Sequence, residues 1–253
     1  MFTQLLWWSG NLLMTTILAR SSIGGFFRKY VIFYVYLGWV LLDSLVSFYV
    51  YVVNPGAYVS LYWYTEFLSL ALGYTVIWEI SRQALADYPG VGRMARTVLL
   101  FFFVMVLARA LTGPLGDQAS YSTKLLALLE RDLRAVQALL LAGIVGLLAY
   151  YRIPVGLNLK GMTLGYGVFV GASVINLTLG SYLGDQFQPW WQYLQPTAYF
   201  LGLLIWTTSL WAYHPNPRPA FEVELEGDYE LLRAHVGKAV TGARGYLLRA
   251  VRP

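Results

Sequence analysis

The stretch Leu128–Tyr151, LLERDLRAVQALLLAGIVGLLAYY, sets the terms on which the whole chain must be read. Glu130, Arg131, Asp132 and Arg134 crowd into five positions, and the 17 residues from Ala135 to Tyr151 then carry no charge at all. At 1.5 Å per residue that apolar run makes about 25 Å of α-helix, close to the roughly 30 Å hydrocarbon core of a bilayer. The expectation is therefore a membrane helix whose charges sit at or above the outer interface. Glu130 and Arg134 stand four apart on one face, where they can pair while the arginine snorkels to water. The competing reading makes the same charges the rim of a site.

Composition extends this reading to the rest of the chain. Of 253 residues, 58% are hydrophobic and only 12% charged, whereas a soluble domain carries about 25% charged residues. So little charge cannot clothe a water-exposed surface. The 9 Trp, 20 Tyr and 13 Phe suit interfaces where one end of a ring is apolar and the other wet. The net charge of +5 does not indicate nucleic acid, because the basic residues fall between apolar runs instead of forming one patch. With no Cys in the chain, disulfides and thiolate-bound metals are excluded.

Seven segments are long and apolar enough to span a membrane: 2–19, 30–53, 58–80, 97–112, 124–151, 162–183 and 190–213. Asn54-Pro55-Gly56, Tyr88-Pro89-Gly90, Thr112-Gly113-Pro114 and Gly184-Asp185 provide breaks between them. The first segment has no positive charge before it, so it reads as a membrane helix and not as a signal peptide. If the N-terminus lies outside, 14 of the 18 basic residues fall on the inner side, leaving Arg109, Lys124, Arg131 and Arg134 outside. The positive-inside rule thus favours N-out and C-in. The expected architecture is all-α: a seven-helix transmembrane bundle (1–213), a Pro-rich linker (214–221) and a cytoplasmic amphipathic tail helix (222–253). The expected location is a bacterial inner membrane, with a periplasmic N-terminus.

Polar residues inside the spans are the candidate site. Asp43 lies before, and Glu66 after, the Asn54-Pro55-Gly56 turn at nearly equal separation, which places both carboxylates at one depth in an antiparallel hairpin. Asn176 falls at a similar level; Gln195 and Arg109 are shallower. Intramembrane ionisable groups face the bundle interior, pair, and mark functional sites. Asp43, Glu66, Arg109, Asn176 and Gln195 are the candidate ligand-binding residues; the two carboxylates are open to protonation or to bonds with Asn176, Arg109 or backbone. Glu130, Arg131, Asp132 and Arg134 form the rim. A buried polar lock, with no ligand, is the structural alternative. Glu79 and Arg82 read as a local interfacial pair. Gly161/Gly165 and Gly167/Gly171 are GxxxG pairs, expected to form a close packing face.

The missing motifs narrow the function. Both histidines, His214 and His235, follow the last span, which excludes a membrane haem with two His ligands and argues against a His-rich metal site. The seventh span has no Lys for a retinal Schiff base. GxSxG, HExxH, Walker A and GxGxxG are all absent. Asp43 and Glu66 lack the sequence context of intramembrane aspartyl proteases. No cofactor is expected. In the tail, Tyr229, Leu232, Val236, Val240, Ala243, Leu247 and Val251 form a continuous apolar stripe, expected to dock on the membrane, the bundle or a partner.

The stretches ERDLRAVQALL, GASVINLTLGSYLGD, WQYLQPTAYF and YHPNP resemble an uncharacterised family of seven-helix integral membrane proteins predicted in acidobacterial genomes. That resemblance implies the topology and carries no activity. The architecture is also similar to the seven-helix sensor modules of some bacterial histidine kinases. The expected function is a non-enzymatic, receptor-like membrane protein with a small-molecule or lipid ligand and a cytoplasmic or membrane-protein partner. The alternatives are a proton- or cation-coupled transporter and a structural subunit of a larger complex.

Overall fold

The computed structural model describes residues 2–112, 123–184, 187–217, 227–236 and 238. The described residues are all-helical in architecture, with 88% of them in helices. The helices are α1 (Phe2–Ile23), α2 (Val31–Val53), α3 (Pro55–Ala84), α4 (Pro89–Thr112), α5 (Thr123–Tyr150), α6 (Leu157–Leu183) and α7 (Gln188–Ser209), with a 3-10 turn at Phe27–Lys29. Three helical stretches, Val31–Val53, Leu128–Tyr150 and Leu157–Leu183, are both long and apolar enough to cross a membrane.

Several helices start earlier than the apolar runs suggest, for a local reason. Pro55 and Pro89 are first helical residues, a position where the missing N–H costs nothing and the fixed φ is already helical. The Asn54-Pro55-Gly56 turn therefore shrinks to Asn54 alone, and the 30-residue α3 is about 45 Å long. Likewise α4 starts at Pro89 instead of 97, and α6 at Leu157 instead of 162. Helix α7 ends at Ser209, short of 213. Gly184, at φ 53°, ends α6 in a conformation that favours glycine. The expected break at Gly113-Pro114 lies outside the described residues.

Helix α3 is the hub, touching α2, α4, α5 and α6, while α1 packs on α2 and α7. Phe33 and Leu37 of α2, Ile77 and Ile80 of α3, Met162 and Tyr166 of α6, and Leu203 and Trp206 of α7 form the fully buried centre. The first GxxxG pair does bring helices together. A Cβ on Gly161 would overlap the Ser209 side chain, one on Gly165 would strike the Trp206 indole, and one on Gly202 would reach the Gly165 carbonyl at 3.0 Å. Small residues allow this approach of α6 to α7. The second pair is not used that way: Gly167 would meet only Leu141 at 3.4 Å, and Gly171 faces open space.

Polar joints fasten one end of the bundle. Glu79, fully buried, accepts the backbone N–H of Phe33 at 2.7 Å and of Ile32 at 3.4 Å. It thereby satisfies two of the donors that every helix N-terminus leaves open, so α3 caps α2. The expected Arg82 partnership is present but long, at 3.9 Å. Asn158, also fully buried, donates to the Ser209 and Ala212 carbonyls at 2.9 and 2.7 Å and accepts from the His214 N–H. Asn216 accepts from the Gly156 N–H at 2.9 Å and donates to the Gln83 carbonyl at 3.2 Å. The Pro-rich exit from α7 is thus strapped across the ends of α3 and α6.

Residues 227–236 are helical. Tyr151 Oη donates to Asp228 at 2.8 Å, and Tyr229 packs on the core. Leu232 and Val236, the next members of the expected stripe, are exposed. The rest of the stripe lies outside the described residues.

The α6–α7 contact generates a paired prediction. Gly165→Ala drives a methyl group into the immobile Trp206 ring and should destabilise the bundle by about 1–3 kcal/mol. Gly171→Ala should be neutral or slightly stabilising, since alanine favours a helix over glycine by about 1 kcal/mol. Thermal unfolding of the two variants in detergent checks this ordering.

Candidate functional site

The charged stretch of α5 divides by helical face. Arg131 binds Asp132 at 2.9 Å and reaches Ser181 at 3.5 Å, with both ion-pair partners part-exposed. These two face away from the bundle interior. Glu130 and Arg134 do not: they are 7% and 6% exposed, and the reading of them as a solvated helix end is overturned. The reason is helix length. Helix α5 begins at Thr123, so Arg134 lies eleven residues in, about 16 Å from the helix start. Glu66 is equally far from the start of α3.

At that common depth the Arg134 guanidinium sits between two carboxylates. It binds Glu130 on its own helix at 2.9 Å and Glu66 across on α3. Its face lies over the Phe169 ring of α6, 5.0 Å from the centroid, an added cation–π attraction. Arg109 was one of the partners open to Glu66, with Asn176 and backbone. The structure pairs Glu66 with Arg134, and the Arg109 side chain lies outside the described residues. Glycine at 73 makes room for this arrangement, because a Cβ there would overlap Tyr166 Oη and crowd Gln137 Nε2 at 2.7 Å.

The ion cluster borders a cavity of about 90 Å³. Asp43, Glu66, Ser69, Arg134 and Gln137 supply its polar wall, and Tyr36, Val40, Tyr166, Phe169 and Tyr199 supply the rest. Asp43 and Glu66 thus meet, as their spacing from the α2–α3 turn implied. Asp43 accepts from Ser47 at 3.3 Å and from Thr65. Ser69 Oγ is fixed by the Trp39 indole N–H at 2.9 Å. Gln137, 1% exposed, donates through Nε2 to the Leu70 carbonyl at 2.8 Å, while its Oε1 has no partner among the described residues.

Asn176 and Gln195 do not line the cavity; they continue its polar character along α6 and α7. Gln195 donates to Ser173 Oγ at 2.6 Å, and Ser173 donates to the Phe169 carbonyl at 2.8 Å. Asn176 Oδ1 and Gln195 Oε1 are buried without a partner among the described residues. The five candidates therefore separate: Asp43 and Glu66 line the cavity, Asn176 and Gln195 do not, and the Arg109 side chain lies outside the described residues.

Sequence reasoning missed Gln137 and the tyrosines at 36, 166 and 199. A signal for Gln137 was present. Glu130, Arg134, Gln137 and Leu141 are spaced 4, 3, 4 and so share one face of α5. The tyrosines had no such signal, since the chain contains 20 of them.

A larger apolar groove of about 250 Å³ lies between α2, α3 and α4, walled by Ile32, Trp78, Leu99 and Phe103. Its polar members are already spent: Tyr74 donates to the Leu133 carbonyl at 3.0 Å and Thr75 to that of Leu72 at 2.6 Å. It offers shape without directed chemistry. Among the described residues no three His, Asp or Glu side chains are grouped as a metal site requires. Comparison with known proteins gives no matching family model, no matching curated protein and no matching solved structure.

Removing one member of a buried ion cluster strands the others, at a cost of about 3–5 kcal/mol. Glu66→Gln and Arg134→Gln should each lower unfolding stability in detergent by that order. Arg131→Gln, at the part-exposed rim, should leave it nearly unchanged. Equal losses at positions 131 and 134 would contradict this division of α5 into two faces.

Proposed function

We propose that the chain is a seven-span membrane protein, N-out and C-in in a bacterial inner membrane, acting as a non-enzymatic receptor-like protein for a small ligand. The observation that carries this reading is the buried Glu66–Arg134–Glu130 cluster opening on a polar cavity inside a helix bundle. Buried charge in an apolar bundle is costly, and where it persists it most often serves a ligand or ion. The seven-span topology is supported by helix lengths of 22 to 30 residues and by outward apolar side chains on the more polar helices. Leu5 and Leu12 on α1, Phe101 and Val104 on α4, and Leu201 on α7 are exposed. The excess of basic residues in alternate loops supports the orientation.

The tail is the output element in this reading. Its start is tied to α5 and α6 by the Tyr151–Asp228 bond and the Asn158 and Asn216 clamps. Its exposed Leu231, Leu232 and Val236 are left for the membrane surface or a cytoplasmic partner.

Transport coupled to protons or cations is the second reading. Pro196 lies inside the continuous α7, next to Gln195, and removes one helical hydrogen bond beside the polar seam. The third reading, a structural subunit, leaned on the glycine face of α6. That support is reduced, because Gly161 and Gly165 are occupied by α7.

The test uses Ser69→Leu, which fills the cavity without touching the ion cluster. Wild-type protein in lipid nanodiscs, incubated with a cell metabolite extract and washed, should retain a small molecule detectable by mass spectrometry. The Ser69→Leu protein should lose it. Identical spectra would count against a ligand cavity. Glu66-dependent solute flux in proteoliposomes would favour transport.

A further inference from the structure

The donors and acceptors around the cavity define the chemical class of what it takes. Three carboxylates, Asp43, Glu66 and Glu130, stand against one guanidinium, Arg134. Arg134 is committed to Glu66 and Glu130. Asp43 receives only hydroxyls, from Ser47 and Thr65, and no cation is paired with it among the described residues. Gln137 provides the second, independent observation. Its Nε2 faces the Leu70 carbonyl, which fixes the orientation of the amide, so the group left unpartnered is the acceptor Oε1. A buried acceptor without a donor is destabilising, and the side chain that carries it lines the cavity. What is left unmet is therefore a carboxylate without a cation and an amide oxygen, which an anion or an acceptor-only ligand cannot relieve.

The remaining walls agree. Tyr36, Tyr166 and Tyr199 line the same space, and aromatic faces attract cations. At about 90 Å³ the cavity suits a compact organic cation.

We propose that this cavity binds a small alkylammonium ion, with Asp43 as its counter-ion and Gln137 Oε1 as a second acceptor. This inference rests on the reading of the cavity as a ligand site and narrows its ligand to one class.

Three small probes of different charge separate the possibilities: ethylammonium, neutral acetamide and anionic acetate, each titrated against wild-type protein in nanodiscs by calorimetry and thermal shift. Ethylammonium should bind and raise the melting temperature, while acetamide and acetate should not. Asp43→Asn should weaken ethylammonium binding by about tenfold or more. Preferential binding of acetate or acetamide would overturn the cationic class yet leave a ligand cavity standing. No response to any of the three would overturn the proposal, and the metabolite-retention test then decides separately whether the cavity holds a ligand at all. Unchanged ethylammonium affinity in Asp43→Asn would also overturn the proposal. If Asp43→Asn does not fold, Val40→Phe, which fills the cavity, replaces it. The ethylammonium response should then vanish, and a persisting response would place binding elsewhere and defeat the proposal.

Discussion

A guanidinium held between two carboxylates, deep in an apolar helix bundle, is the constraint on which the rest of this structure depends. An ion taken out of water costs several kcal/mol unless it is paired with good geometry. Arg134 meets that demand only if α3 and α5 stand in one register, with Glu66 and Arg134 at the same depth. Phe169 then brings α6 over the guanidinium face, and Gly73 keeps α3 free of a Cβ where Tyr166 and Gln137 must fit. The cavity is a consequence of this packing. Helices held apart by charged and aromatic side chains leave a space that Asp43 closes from α2.

The opposite end of the bundle uses polar groups differently. Glu79 and Asn158 are as deeply buried as Arg134, yet both are spent on backbone: Glu79 on the first N–H groups of α2, Asn158 on the carbonyls that end α7. They are joints, and they leave no unmet hydrogen-bonding capacity facing a cavity. The contrast with Gln137, whose Oε1 is unpartnered, separates the structural polar residues from the candidate functional ones. It also gives the tail a route to the core, since the strap of His214 to Asn216 rests on the same joints that hold α6 and α7 together.

Much of this fold was legible in the sequence, because apolar run length and turn residues respond to local physics. Among the described residues α1 to α7 follow the seven apolar segments, and the placing of Asp43 and Glu66 on one cavity agrees with simple counting outward from Asn54. The error at Glu130 and Arg134 has an equally simple origin. A hydrophobic run gives the least length a helix can have, whereas α5 extends a further twelve residues before Ala135, carrying its charges inside. The partner of Glu66 was not legible, because Arg134 is 68 positions away and only tertiary packing selects it over any other arginine. Glycine pairs at 161/165 and 167/171 look alike in sequence and differ in use, because the second pair has no facing helix close enough to need it.

The central claim is that Glu66 and Arg134 are energetically one unit. A double-mutant cycle measures this directly, using Glu66→Gln, Arg134→Gln and the combined variant, with reversible unfolding followed in lipid–detergent micelles. For residues in contact the cost of the double change should fall short of the sum of the single costs by about 1–3 kcal/mol. Additive losses, within the few tenths of a kcal/mol expected for distant sites, would mean that the two side chains do not meet, and would contradict the account.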